Sequence, residues 1–225
     1  MLAVKVKRPV VPTNFSRRIV VSGILGGGLK LVMGKQVRAA CLLTAGQAEG
    51  PFYPTEVLET DADMTTVSGG EARASGEAIE VVGLVQDGKC QPVGNCNLEI
   101  WQANSLGRYA HPSDSGNSQP LDTNFQGHAR ISTDYNGMYR FITIYPGSYP
   151  AGENWIRPPH IHFKVKSRNS SLTTQMYFAG SEHNKNDYLL NALGPEERNS
   201  LTVRFDHTRS DGIRTGMFNI TLAEG

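Results

Sequence analysis

The sequence predicts an all-β protein, with a two-sheet β-sandwich core, long site-bearing loops and little helix; three observations carry that expectation. From Ala78 onward, short apolar runs rich in Val, Ile, Phe and Tyr alternate with polar residues at a period of two, the pattern of strands with one buried face. The runs are punctuated by turn formers, among them Asp87-Gly88 and Asn136-Gly137, dipeptides suited to tight hairpins. Helical patterning is confined to residues 187–193. Many short strands separated by Gly and Pro turns bury their apolar faces most simply as two sheets packed against each other.

Taken in order, the chain divides into residues 1–40 and a β-domain of residues 41–225. Five basic residues and no acid precede Ile19, Arg17-Arg18 forms a twin-arginine pair, and residues 19–33 are mainly apolar and glycine-rich, broken by Lys30. A membrane span needs about 20 apolar residues, so the stretch reads instead as a twin-arginine export signal, cleaved near residues 37–39. An N-terminal arm packed on a neighbouring subunit is the alternative. A lipoprotein reading of Ala39-Ala40-Cys41 is weakened by Arg38, which stands where that signal wants an aliphatic residue. The protein is expected to be periplasmic or extracellular if the signal operates, and cytoplasmic otherwise.

Strands are expected at residues 79–85, 97–101, 128–133, 138–144, 160–165, 172–178, 201–205 and 218–222, with loop 111–126 carrying part of a site. Of three cysteines, Cys90 and Cys96 bracket a turn-rich connection and have the first claim to a disulfide; pairing with Cys41, or three reduced thiols, are the alternatives. A net charge of +1, with 19% charged residues, offers no clustered basic face for nucleic acid. The expected partner is a small molecule.

The chemistry centres on Arg157-Pro-Pro-His160-Ile-His162-Phe163. In a strand, His160 and His162 project from one face about 6.6 Å apart, at roughly 3.3 Å per residue, so one metal ion can take both. Ile161, Phe163 and Val165 then fall on the opposite face. His-x-His also occurs in zinc enzymes, cupins and ordinary sheets, and the residues downstream of it discriminate: no acid appears between His162 and Glu182 to complete a facial carboxylate site. The missing ligands must come from elsewhere, and upstream Tyr109 and Tyr149 both sit beside turn formers, in Gly107-Arg108-Tyr109 and Pro146-Gly147-Ser148-Tyr149-Pro150.

These residues belong to seven ordered blocks: Glu49-Gly-Pro-Phe-Tyr53-Pro54, Ile100-Trp-Gln-Ala-Asn104 leading to Gly107-Arg-Tyr109, Leu121-Asp-Thr-Asn-Phe125, Tyr139-Arg-Phe-Ile-Thr-Ile144, Pro146-Gly-Ser-Tyr149-Pro150, Arg157-Pro-Pro-His160-Ile-His162-Phe163 and Thr174-Gln175-Met-Tyr177-Phe178. In them the chain resembles the intradiol ring-cleavage dioxygenases, of the protocatechuate 3,4-dioxygenase β-subunit type. The resemblance implies a mononuclear non-haem Fe(III) held by Tyr109, Tyr149, His160 and His162, with Arg157 and Gln175 lining the substrate site. The donor types agree with it, since anionic phenolate is a hard, strongly donating ligand that favours the ferric state.

The implied reaction takes a catechol-type diol and O2 to a cis,cis-muconate-type diacid. By the same analogy Tyr149 dissociates and accepts a substrate proton, while Arg157 stabilises carbanion-like charge on the ring. The protocatechuate enzyme builds its site with a second, related chain, so the resemblance leaves open whether this chain works alone, as a homo-oligomer or as a hetero-oligomer with a related chain. Protocatechuate-type members often carry an aromatic residue where Ala151 follows Pro150, so the substrate is left open among protocatechuate, catechol, hydroxyquinol and substituted catechols. Two other readings are kept: an exported prealbumin-like β-sandwich that binds a ligand without catalysis, and a zinc hydrolase on the same ligands. Tyr53 and Trp101 read as packing aromatics, Arg108 and Arg140 as solvated or ion-paired, and His111, His128, His183 and His207 as histidines outside any ligand set.

Overall fold

Strand β1 (Ala78–Asp87) alternates inward Ile79, Val81 and Val85 with less buried neighbours, and it forms the spine of one sheet. The computed structural model describes residues 40–56 and 58–223; apart from Ala40, the export-signal stretch lies outside them. After β1 come β2 (Asn97–Trp101), β3 (His128–Ser132), β4 (Met138–Ile144), β5 (Tyr149–Gly152), β6 (Trp155–Arg157), β7 (His160–Lys166) and β8 (Ser171–Phe178). Helices α1 (Tyr188–Asn191) and α2 (Pro195–Leu201) precede β9 (Thr202–Val203), β10 (His207–Thr208), β11 (Arg214–Met217) and β12 (Ile220–Leu222). Among the described residues no helix is long and apolar enough to cross a membrane.

The first sheet sets β4 antiparallel on β1, with β11 and then β12 parallel to it, and β10 on β11. The second has the order β3-β2-β7-β8-β9 and is antiparallel except where β8 meets β9. Strands β5 and β6 form a separate hairpin. The sandwich core lies between the inner faces: Phe163 of β7 packs 5.9 Å from Phe141 of β4 and 5.1 Å from Phe218, ring centre to ring centre. Ile161, Phe163 and Val165 fill that core, as their alternation with the histidines predicts. Each such side chain contributes about 1.5–3 kcal/mol by leaving water.

Three local expectations are corrected. The disulfide joins Cys41 to Cys90 across a Cα separation of 5.4 Å, and Cys96 is a buried thiol. Cys96 stands immediately before β2 with its side chain turned into the core, where its thiol donates to the Val93 carbonyl. Cys90 lies in the turn after β1, beside Gly88, whose carbonyl accepts from the Cys41 N–H at 3.1 Å. A sulfur held in this bond has no thiol for a lipid, which removes the lipoprotein reading of Cys41.

The helix expected at 187–193 is present as α1, but α2 follows it, and Leu201, expected to open a strand, instead closes that helix. Its start was written in the chain: Pro195 takes the first helical position and Glu197 reaches back to accept from the Gly194 N–H at 2.9 Å. The strand expected at 201–205 shortens to β9, and β5, β6, β10 and β11 are further strands too short to show a period of two.

Candidate metal centre

The two histidines arrive by strand geometry alone. His160 and His162 leave the same face of β7, their Nε2 atoms 3.2 Å apart, and that face is buried where a half-exposed one was expected. It is covered by the segment before β1 and by the β5–β6 hairpin. Gln47 N–H bonds the Thr173 carbonyl, Thr174 Oγ1 donates to the Ala45 carbonyl, and Lys164 pairs with Glu49, so the segment is laid along β7 and β8. Phe52 then stacks on Tyr109 with ring centres 4.4 Å apart. Tyr53 donates to Glu99 at 2.7 Å and packs edge-on against Trp101, which makes it an anchor of this segment. Burial, with that bond to the Glu99 carboxylate, pushes its phenol up to about 12.

The two tyrosines arrive by a crossing of loops. Asn104 closes the first loop on itself, its Oδ1 accepting from Leu106 and Arg108 N–H groups, and its carbonyl accepts from both Gly107 N–H (3.0 Å) and Gly147 N–H (2.9 Å). The loops touch at glycines for a steric reason. Gly107 has φ +81°, and a Cβ there would lie 2.2 Å from the Ser148 carbonyl oxygen; one at Gly147 would lie 2.3 Å from the Gly107 nitrogen. Loop 111–126 contributes Asp114, whose Oδ2 accepts from the Tyr109 N–H at 2.8 Å. Tyr149 opens β5 directly opposite Arg157 of β6.

The phenol oxygens of Tyr109 and Tyr149 come to 3.4 and 3.5 Å from His160 Nε2. Four donors from three parts of the chain thus face one point. His160 Nδ1 lies 2.7 Å from the Pro158 carbonyl, which can only accept, so Nδ1 carries the proton and Nε2 presents its lone pair to that point. Burial, and next the charge of Arg157, push both imidazoles down, His162 to about 3, so both are neutral. Trp101 stacks on His162 at 4.7 Å with planes 10° apart; it is both a core residue and a wall of the site. Burial pushes the Tyr109 phenol well up, with Tyr149 adding to it, and pushes Tyr149 up against the opposing charge of Arg157.

Among the described residues no three His, Cys, Asp or Glu side chains are placed to hold a metal ion, so a metal at this point takes the phenols. Two neutral imidazoles and two phenol oxygens fit Fe(III), since phenolates stabilise the ferric charge in a dry site.

Arg157 is buried beside them. Its Nη2 donates to Gln175 Oε1 at 2.6 Å and to Tyr177 Oη at 3.3 Å. Gln175, opposite His162 across β7 and β8, is fully buried and oriented by donating to the Ala48 carbonyl at 2.7 Å; it grips Arg157. Three residues to which the sequence reading gave no role at the site belong here: Tyr177, read there as a core or surface aromatic, Trp155 and Asp187, the last accepting from Arg157 Nε at 2.8 Å. Tyr177 stands in one of the seven blocks, two residues after Gln175, which was its signal. Arg108 donates to the carbonyls of Asn117 and Gln119, tying down loop 111–126, and Arg140 pairs with Glu80.

Comparison with known proteins gives the family. The sequence matches the family described as Dioxygenase over residues 48–224. It is 41% identical over 179 residues to the protocatechuate 3,4-dioxygenase beta chain of Burkholderia cepacia, covering 76% of each chain. It is 30% identical over 191 residues to a catechol 1,2-dioxygenase of Acinetobacter baylyi, covering 78% of this chain and 58% of that one. The fold superimposes on the 3-chlorocatechol 1,2-dioxygenase of Rhodococcus opacus 1CP with a TM-score of 0.65 and 25% identity, covering 81% of this chain and 73% of that one. A β-sandwich carrying two histidines and two tyrosines on one buried point, matched over most of its length, places the chain in the intradiol ring-cleavage dioxygenases, a family that uses non-haem iron.

Proposed function

We propose that the chain holds one Fe(III) through Tyr109, Tyr149, His160 and His162 and cleaves a catechol-type diol, protocatechuate or a relative, between its hydroxyl-bearing carbons. The observation that carries this reading is the convergence of four donor atoms beside a buried guanidinium. Bound there, ferric iron would supply Lewis acidity toward the two substrate oxygens. The balance is simple: one diol and one O2 give one diacid, with both oxygen atoms retained.

The chain's own residues account for the rest. By analogy with the family, Tyr149, which sits on a short hairpin outside both sheets, is the phenol that swings away and takes a proton at Oη. Arg157 brings a fixed positive charge to a water-poor site, where it stabilises negative charge developing on the ring. Gln175 and Tyr177 hold it, and Trp101 and Phe52 exclude water. A prealbumin-like carrier has no use for this donor set.

The purified protein should contain one iron per chain and be coloured by phenolate-to-Fe(III) charge transfer. A panel of catechol, protocatechuate and hydroxyquinol should yield ring-opened diacids carrying both atoms of 18O2. A semialdehyde product, or zinc with no colour, would sink the proposal. The Burkholderia cepacia relative is a beta chain, which supports assembly with a related chain or with further copies of this one. Export is also proposed. The twin-arginine sequence and the Cys41–Cys90 disulfide, a bond that persists in oxidising compartments, support it. A reporter fused behind residues 1–45 should leave the cytoplasm only while Arg17-Arg18 is intact.

A further inference from the structure

Asp187 is fully buried, and one of its two carboxylate oxygens is engaged with the residues beside the candidate metal centre while the other is engaged with α1. Its Oδ2 accepts from Arg157 Nε at 2.8 Å and from Trp155 Nε1 at 3.2 Å. Its Oδ1 accepts from the Leu190 N–H at 2.8 Å, capping α1, and its carbonyl accepts from the Asn191 N–H at 3.0 Å. One carboxylate therefore ties both ends of β6 to the N-terminus of α1.

The consequence falls on the guanidinium. With Nε held by Asp187 and Nη2 by Gln175 and Tyr177, the described partners of Arg157 occupy only two of its three nitrogens. A planar group pinned along one edge has a single orientation, and its remaining nitrogen, Nη1, is the one left for a substrate. Because Arg157 pairs with Tyr149 across the hairpin, the same carboxylate also fixes the strand against which that tyrosine is registered.

We propose that Asp187 is a positioning residue for the reaction: it sets the orientation of Arg157 and acts only through it. This rests on the reading of Arg157 as the group that stabilises charge on the ring. Among the described residues, no other carboxylate pairs with Arg157.

The test is Asp187→Asn, which keeps a helix cap and the side-chain volume but removes the charge and sets an amide against Arg157 Nε. Iron content and anaerobic catechol affinity should stay within twofold of wild type, while the step after O2 is admitted slows at least tenfold. The double variant Arg157→Ala with Asp187→Asn should be no slower than Arg157→Ala alone, within twofold, since a residue that works through Arg157 has nothing left to orient. Multiplication of the two losses, or a wild-type rate in Asp187→Asn, would overturn the proposal.

A second readout needs neither iron nor turnover. In 15N NMR of the metal-free protein, the Arg157 Nε–H should exchange slowly with solvent in wild type and at least tenfold faster in Asp187→Asn. Should that variant fail to fold, the wild type decides, and exchange there at the rate of a free arginine refutes the claim. If the wild type opens no catechol at all, the proposed function falls, and the NMR measurement alone judges Asp187.

Discussion

Replacing Gly107 with Ala tests how the two tyrosine loops are brought together. Two costs can be worked from the structure. The backbone at Gly107 has φ +81°, and an L-residue there costs about 1–2 kcal/mol. The new Cβ would also stand 2.2 Å from the Ser148 carbonyl oxygen, where real contacts of this kind stay beyond 3.0 Å, so the loops must part by 0.8 Å, the difference of the two. Overpacking of that kind adds about 1–3 kcal/mol. The sum, about 2–5 kcal/mol, lowers Tm by about 4–20 °C for a domain of this size.

Ser148 adjoins Tyr149 and Gly107 lies two residues before Tyr109, so the displacement passes directly to the phenols. A misplacement near 1 Å costs about 10²-fold in rate. Gly127→Ala is the control, because Gly127 has φ +75° but nothing within 4 Å of a new Cβ, and it isolates the backbone cost. Calorimetry, iron content and kcat should be measured on both variants. If Gly107→Ala melts and turns over like Gly127→Ala, the close approach is not what sets the tyrosines, and the reasoning is wrong.

Three further outcomes are expected. His160→Ala or His162→Ala should lose iron and colour while keeping the β-sheet circular dichroism of wild type, because the opposite face of β7 carries the packing; full iron content in both would refute the assignment. Arg157→Ala should lower stability by about 3–5 kcal/mol in urea titration, since Asp187 is left as a buried charge without its partner, and an unchanged midpoint would show that the pair carries no such energy. The third concerns Glu80, whose carboxyl burial alone would raise, but bonds from Arg140 and Thr215 and the charges of Arg140 and Arg209 outweigh that and hold it below the ordinary range. A depressed folded pKa gives stability that is full above the unfolded value of about 4.3 and is lost as pH falls through the folded one. Urea midpoints of Glu80→Gln should therefore fall less steeply than those of wild type below about pH 4.5; equal slopes would argue against it.

The sandwich and half of the site were legible because they depend on local rules. A period of two dictates that His160 and His162 share a face and that Ile161 and Phe163 oppose them, whatever the rest of the molecule does. The glycines beside Tyr109 and Tyr149 likewise mark close turns. Short pieces were not legible: β5 and β6, of four and three residues, are held by the hairpin they form, too short for alternation to register.

What the sequence by itself determined was the strand inventory of the core, the shared face of the two histidines and the donor types on offer. Only the tertiary structure decided which distant groups meet. Cys90 bonds Cys41, 49 residues away, in place of Cys96, six away, because strand direction turned the nearer sulfur into the core. Asp187 stands 30 residues from Arg157, and nothing in the intervening chain announces the pair. Such contacts follow from how the hairpin and helix settle on the sheets, and there the cost of burying an unpaired charge selects the partner that the linear order leaves unspecified.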